Sequence, residues 1–197
     1  MRVVPYFSPV SRTTCYIVAP REGTGAILVD PVHVDNDFYA LLLRLQIEVR
    51  WIVVTHPEEY MRHPLHTLGR IFAYQVIAGE EELFGRTCRQ IYPEAREPLV
   101  LEGITLEAIP FLPHSRSSYV YRMGNCLFSG AIVHAGTLGE TPTNYNEELL
   151  IATVKDQLFT LPGADSDLLL LPSVGPPSTL RAELHLSPYY REFEAAE

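Results

Sequence analysis

The stretch Trp51-Ile52-Val53-Val54-Thr55-His56-Pro57-Glu58-Glu59-Tyr60-Met61 decides the reading of this chain. Four apolar residues run without alternation into Thr55 and His56, the pattern of a strand covered on both faces. The chemistry then turns polar and mixed, so a buried strand is expected to deliver His56 to its C-terminal end.

Strands and helices alternate outward from this point. Cys15 to Ala19 and Gly25 to Val29 read as short apolar strands around the turn-rich Pro20-Arg21-Glu22-Gly23-Thr24. Asp35 can cap a helix whose stripe is Phe38, Leu41, Leu42 and Leu45, one face of an α-helix. Leu65, Leu68 and Phe72 give a second helical stripe, and Gln75 to Ala78 another strand. Leu99 to Leu101 leads through a turn into Ile104 to Phe111. Ser118 to Tyr121 and Cys126 to Ser129 flank Arg122-Met123-Gly124-Asn125 as a hairpin. Asn146 begins a helix carrying Leu150, Ile151, Val154, Leu158 and Leu161, closed by Pro162-Gly163. Leu168 to Pro172 is a last buried strand, and a terminal helix is expected from Thr179. The pattern predicts one α/β domain over residues 1–197, with sheets sandwiched between helices.

Composition narrows the function classes. The chain has 197 residues, 47% hydrophobic and 20% charged, enough for a sizeable core. Its formal charge of −9 repels a phosphate backbone and argues against nucleic acid as the main partner. No apolar run is long enough to span a bilayer, and Met1 to Tyr6 lacks the apolar region of a signal peptide. Cys15, Cys88 and Cys126 are odd in number and widely spaced, so neither a disulfide framework nor a zinc knuckle is indicated. A reducing cytoplasm is expected.

Several segments, in order, resemble the metallo-β-lactamase superfamily and its glyoxalase II-like branch. Gly25-Ala26-Ile27-Leu28-Val29-Asp30-Pro31 is similar to the strand that ends in a structural aspartate, and Thr55-His56 to the start of the His-x-His-x-Asp-His motif. Phe111-Leu112-Pro113-His114-Ser115 resembles the Pro-Gly-His-Thr segment. Cys126-Leu127-Phe128-Ser129-Gly130-Ala131 resembles Leu-Phe-Thr-Gly-Asp. Pro172-Ser173-Val174-Gly175-Pro176 resembles Pro-Gly-His-Gly-Pro, and Ser178 to Glu183 continues the match. The resemblance covers nearly the whole chain and implies an αβ/βα four-layer sandwich.

Carried over residue by residue, it also implies where metals would sit. The first-metal positions hold His56, Glu58 and His114; the second-metal positions hold Tyr60, Met61 and Val174; the bridging position holds Ala131. Met61, Val174 and Ala131 offer no ligand to a hard or borderline divalent ion. Tyr60 could ligate only as a phenolate. A dinuclear centre is therefore not expected. Two imidazoles and a carboxylate remain, a set adequate for one zinc or one ferrous ion. Against this stand ordinary roles: a strand-end histidine that satisfies backbone groups, a loop histidine, and a solvated glutamate.

The metal-free reading is preferred. It expects no cofactor, and a degenerate, hydrolase-like pseudoenzyme that binds a small molecule or a protein partner in the former active-site cleft. That cleft is expected to be rimmed by His56, Glu58, Tyr60 and His114, with Met61, Ala131 and Val174 as apolar neighbours. The alternative is a mononuclear hydrolase of the ester or thioester class using His56, Glu58 and His114, with a single zinc or iron ion. Other histidines are read first as ordinary: His63 and His66 on one helix face, His33 in a loop that could line the same mouth, and His134 just past Ala131, from where it could re-enter the site. Ser115, Ser117 and Ser118 lack a Gly-x-Ser-x-Gly elbow. Glu80-Glu81-Glu82 reads as a solvated helix start, and Tyr189-Tyr190 as anchors of a terminal helix.

Overall fold

A computed structural model describes residues 1–95, 97–164 and 168–191. Strands β1 (Arg2–Ser8), β2 (Thr13–Ala19), β3 (Gly25–Val29), β4 (Glu48–Val53), β5 (Gln75–Ala78), β6 (Glu82–Leu83) and β7 (Arg86–Gln90) form one sheet in the order β1-β2-β3-β4-β5-β7-β6. Strands β8 (Leu99–Leu101), β9 (Ile104–Pro110), β10 (Tyr119–Met123) and β11 (Cys126–Gly130) belong to the other sheet. A ribbon of β12 (Val133–His134) and β13 (Thr137–Leu138) follows, and β14 (Leu169–Pro172) and β15 (Ser178–Thr179) complete the second sheet in the order β15-β14-β11-β10-β9-β8. The helices are α1 (Asn36–Arg44), α2 (Arg62–Leu68), α3 (Asn144–Gln157), α4 (Leu180–Leu186) and α5 (Pro188–Arg191).

Side-chain alternation along the strands generates the layers. In β2, Cys15, Ile17 and Ala19 join Phe38 and Leu42 of α1 and Leu65 and Leu68 of α2 in an outer core. Tyr16 and Val18, one residue out of phase, join Ile27, Val29, Val53 and Ile77 against Tyr119, Tyr121 and Phe128 of the second sheet. On that sheet's far face, Val120, Leu127 and Leu170 pack with Leu150 and Val154 of α3, Leu180 and Tyr190. Three apolar cores thus separate four layers, the expected αβ/βα sandwich. Each fully buried large aliphatic side chain contributes roughly 1.5–3 kcal/mol.

The expected strand at Trp51 lies in the interior of its sheet, between β3 and β5 and parallel to both. It begins at Glu48 and ends at Val53, so Thr55 lies beyond it. Its register with β3 skips Arg50, which puts Val49 and Ile52 in the same core despite their odd spacing. Three caps start helices: Asp35 accepts from Phe38 N–H, Thr143 from Asn146 N–H and Thr179 from Ala182 N–H. The α3 helix therefore begins two residues before the expected Asn146. The hairpin after β10 turns on Gly124 and Asn125 alone, because Met123 pairs with Cys126.

Glu80 to Glu82 does not start a helix. The segment enters the β6–β7 hairpin, and Glu80 Oε1 accepts from Ser117 Oγ at 2.9 Å. Tyr190 is buried and sets its ring edge-on to Phe159, so this pair anchors the C-terminal helices to the core. The remainder of the expected terminal helix lies outside the described residues.

Candidate functional site

The loops after β3, β4, β9, β11 and β14 meet at one end of the sandwich. Asp30 follows β3 with φ 53°, a left-handed conformation that aspartate tolerates better than most residues. Its carboxylate accepts from the backbone N–H of Thr55 and from the Thr55 hydroxyl, both at 2.8 Å. Burial pushes the Asp30 pKa up, opposed by His56 and by the hydrogen bonds from Thr55. This clamp fixes the turn that presents His56.

His56 is buried at 6% exposure. Its Nδ1 lies 3.2 Å from Thr55 Oγ1, and its Nε2 donates to Glu58 Oε1 at 3.0 Å. That hydrogen bond is the main reason the Glu58 carboxyl sits below the usual carboxylate range. Gly130 passes directly beneath with φ 59°; a Cβ there would overlap Thr55 Oγ1 and lie 3.2 Å from His56 Nδ1. The glycine of the Ser-Gly-Ala segment is thus required by close approach as well as by backbone conformation.

His114 meets His56 edge-on, with ring centroids 5.1 Å apart. Its Nδ1–H donates to the Glu140 carbonyl at 2.9 Å, which leaves Nε2 as the acceptor. Burial and then the neighbouring His56 lower its pKa. His56, Glu58, His114, Ala131 and Val174 line one cavity of about 390 Å³. The structure brings these five candidates together.

Tyr60 and Met61 do not join them. Met61 is fully buried in the outer core between the first sheet and α1 and α2, and Tyr60 packs on that core. The 3-10 turn Glu59–Met61 leads directly into α2 and carries both side chains away from the cavity. Burial, followed by the Asp30 carboxylate, pushes the Tyr60 pKa well above its usual value, so the phenol stays protonated. The expected rim and apolar neighbours are corrected accordingly: Tyr60 and Met61 are core residues.

The cavity has a further wall, formed where His134 re-enters the site. His134 and Leu138, on the β12–β13 ribbon, line it with Gly139 and Glu140. Glu183 of α4, 4% exposed, holds this ribbon. Its carboxylate accepts from Gly136 N–H at 2.9 Å and from Ser178 Oγ at 2.5 Å. Burial lowers the His134 pKa, while Glu183 opposes the shift. The signal in the sequence was the nearness of His134 to Ala131; the distant Glu183 gave none.

Other candidates go elsewhere. His33 and His63 stack at 5.2 Å, and His66 lines a second cavity with Arg62 and Arg86. Ser115 and Ser118 hydrogen-bond to each other at 2.5 Å.

The donor set fails the requirements of a dinuclear centre: two of its positions are core residues, and Ala131 and Val174 offer no ligand. Among the described residues, no group of three or more His, Cys, Asp and Glu side chains is arranged to hold a metal ion. His56 Nε2 is hydrogen-bonded to Glu58.

Solved structures share this architecture. ETHE1 from Myxococcus xanthus superposes with a TM-score of 0.80 at 19% identity, over 100% of this chain and 91% of the other. The chain has the metallo-β-lactamase fold. BLEG-1, a B3 metallo-β-lactamase, matches with a TM-score of 0.78 at 19% identity over 96% and 98% of the two chains. TTHA1623 in a di-iron-bound form matches at 0.74 and 20% identity over 95% and 100%. No protein-family model and no curated protein matches the sequence. At these identities the metallo-β-lactamase likeness establishes the fold alone. Among the described residues, no helix is long and apolar enough to cross a membrane.

Proposed function

We propose that this chain is a metallo-β-lactamase-fold pseudoenzyme whose cleft binds a small organic molecule or a partner's side chain without a dinuclear metal centre. Ala131 and Val174 carry the reading, because they line the cleft at the positions carried over for bridging and second-metal ligands and their side chains offer no donor. The cleft offers polar groups on one side, in His56, Glu58, His114 and His134. On the other it offers the apolar surfaces of Ala131, Leu138 and Val174. A concave site of mixed lining and this size suits a small ligand. Placement in the glyoxalase II-like branch rests on the order of the motifs around Asp30, His56, His114 and Gly130. Three buried free cysteines support a cytoplasmic location.

One observation favours a second reading, the mononuclear hydrolase. The His114 Nδ1–H is anchored to a backbone carbonyl, as the distal N–H of a metal-binding histidine commonly is. A bound zinc or ferrous ion would supply Lewis acidity and a water of lowered pKa. His56, Glu58 and His114 would hold it once Glu58 released the His56 nitrogen.

Assays of metal-free and zinc-supplemented protein against thioester, lactone and phosphodiester panels separate the two. The pseudoenzyme reading expects no turnover in either state. Turnover that needs metal and vanishes in His114→Ala establishes the hydrolase.

A further inference from the structure

We infer a second ligand site, for a phosphate monoester, between α2 and the β6–β7 hairpin. A cavity of about 550 Å³, larger than the His56 cleft, is lined there by Arg62, Leu65, His66, Phe84, Gly85 and Arg86. The chain as a whole has 24 acidic and 15 basic residues. Two arginines and a histidine line this cavity, and Glu59, the carboxylate that pairs with Arg62, is not among the lining residues.

Both guanidinium groups already have partners before any ligand arrives, although the Arg62–Glu59 pair is exposed to solvent. Arg62 stacks over the Phe84 ring at 4.9 Å and hydrogen-bonds through Nε to Glu59 at 2.6 Å and through Nη2 at 3.3 Å, leaving Nη1 to donate elsewhere. Arg86 stacks over Tyr74 at 5.1 Å and lies against Gly69, where any Cβ would overlap its guanidinium. Arg86 makes no ion pair with any described residue. Planar guanidinium groups match the oxygens of a phosphate through paired hydrogen bonds, and fixing them beforehand reduces the entropy lost on binding.

The hairpin supplies an independent observation. Leu83 pairs with Arg86, so Phe84 and Gly85 form a two-residue turn with φ of 52° and 80°. Turns of this kind take Asn-Gly or Asp-Gly; a bulky residue in the left-handed region is strained. The strain sets an aromatic ring into the wall of the cavity and under Arg62. Backbone strain of this kind clusters at ligand sites. The dianionic head would sit on Arg86, His66 and the open side of Arg62, with the ester's organic group against Phe84 and Leu65.

The test is titration of the full chain with inorganic phosphate and with phenyl phosphate, followed by backbone amide NMR. Saturable shifts centred on Gly85 and Arg86 are expected, with phenyl phosphate binding more tightly. Arg86→Ala should weaken binding roughly tenfold or more, as loss of a charge-assisted pair does. Glu59→Gln, which releases Arg62, should strengthen it. Arg50→Ala removes an arginine paired with Glu48 on another surface and should leave affinity unchanged. Absence of saturable shifts at the hairpin overturns the site. So does an Arg50→Ala effect equal to that of Arg86→Ala, which would mean unspecific attraction.

Discussion

His56 Nε2 lies 3.0 Å from Glu58 Oε1, joining an almost buried imidazole to a carboxylate whose side chain is 46% exposed. The proton in that bond and a metal on Nε2 exclude each other. Any zinc uptake must displace that hydrogen bond and should weaken as pH falls, because ligand nitrogens and carboxylates bind metal only without their protons. Because Ala131 and Val174 add no ligand, uptake should not exceed one ion per chain. Elemental analysis after zinc titration measures this, and a stoichiometry of two would contradict it.

Met61→Ala should behave as a core truncation. The side chain is fully buried among the residues under α1 and α2. A loss of about 2–5 kcal/mol is expected in urea unfolding, with an unchanged m-value. A loss under about 0.5 kcal/mol would instead return Met61 to the surface.

Gly130→Ala combines a left-handed backbone with overlap of Thr55 Oγ1. The expected cost is about 1–3 kcal/mol. The shift should also move the His56 ring, so imidazole NMR resonances of His56 should change more than those of His66. Equal, small shifts at both rings would argue against the close approach.

Glu183→Ala leaves the Gly136 N–H and the Ser178 hydroxyl without their shared acceptor. Each unsatisfied group costs about 1–3 kcal/mol where it stays buried. Amide exchange across residues 133–138 should accelerate strongly, and less so in Glu183→Gln, which keeps an acceptor oxygen. Unchanged exchange in both variants would mean the ribbon is held by its own strand pairing.

Asp35 predicts the pH behaviour. Hydrogen bonds from Tyr6 and then from Phe38 N–H hold its carboxyl below the ordinary value. A depressed folded pKa contributes stability that is fully present above the unfolded value near ~3.9 and is lost as pH falls through the folded value. Asp35→Ala should cost about 1 kcal/mol near neutrality, as the loss of a helix cap does. Its stability should also fall less steeply than that of the unaltered chain below about pH 4. Parallel curves down to acid would rule out the cap's contribution.

Much of the sandwich was legible because apolar periodicity is local. The run from Trp51 to Val54, the stripe from Phe38 to Leu45 and the hairpin around Gly124 each declare themselves within a few residues. Glu80 to Glu82 was misread because three carboxylates suit a helix start. The turn at Phe84-Gly85 lacks the usual Asn-Gly signal, so the hairpin that follows was invisible. Position matching brought His56, Glu58, His114, Ala131 and Val174 to one cavity, since each follows a strand whose end is set by the sheet.

The sequence by itself determined the layers, through strand alternation and helical stripes, and the chemistry available at each candidate ligand position. Alanine and valine side chains carry no donor atom and coordinate no zinc in any fold. Only the tertiary structure decided which way side chains face where the chain leaves regular strands. One short 3-10 turn rotates Tyr60 and Met61 into the core. A carboxylate 47 residues away holds the ribbon that puts His134 against the cleft. Two segments distant in sequence bring Arg62 and Arg86 to one cavity. Local pattern carries no record of such contacts, because burial and hydrogen bonding between separate elements set them.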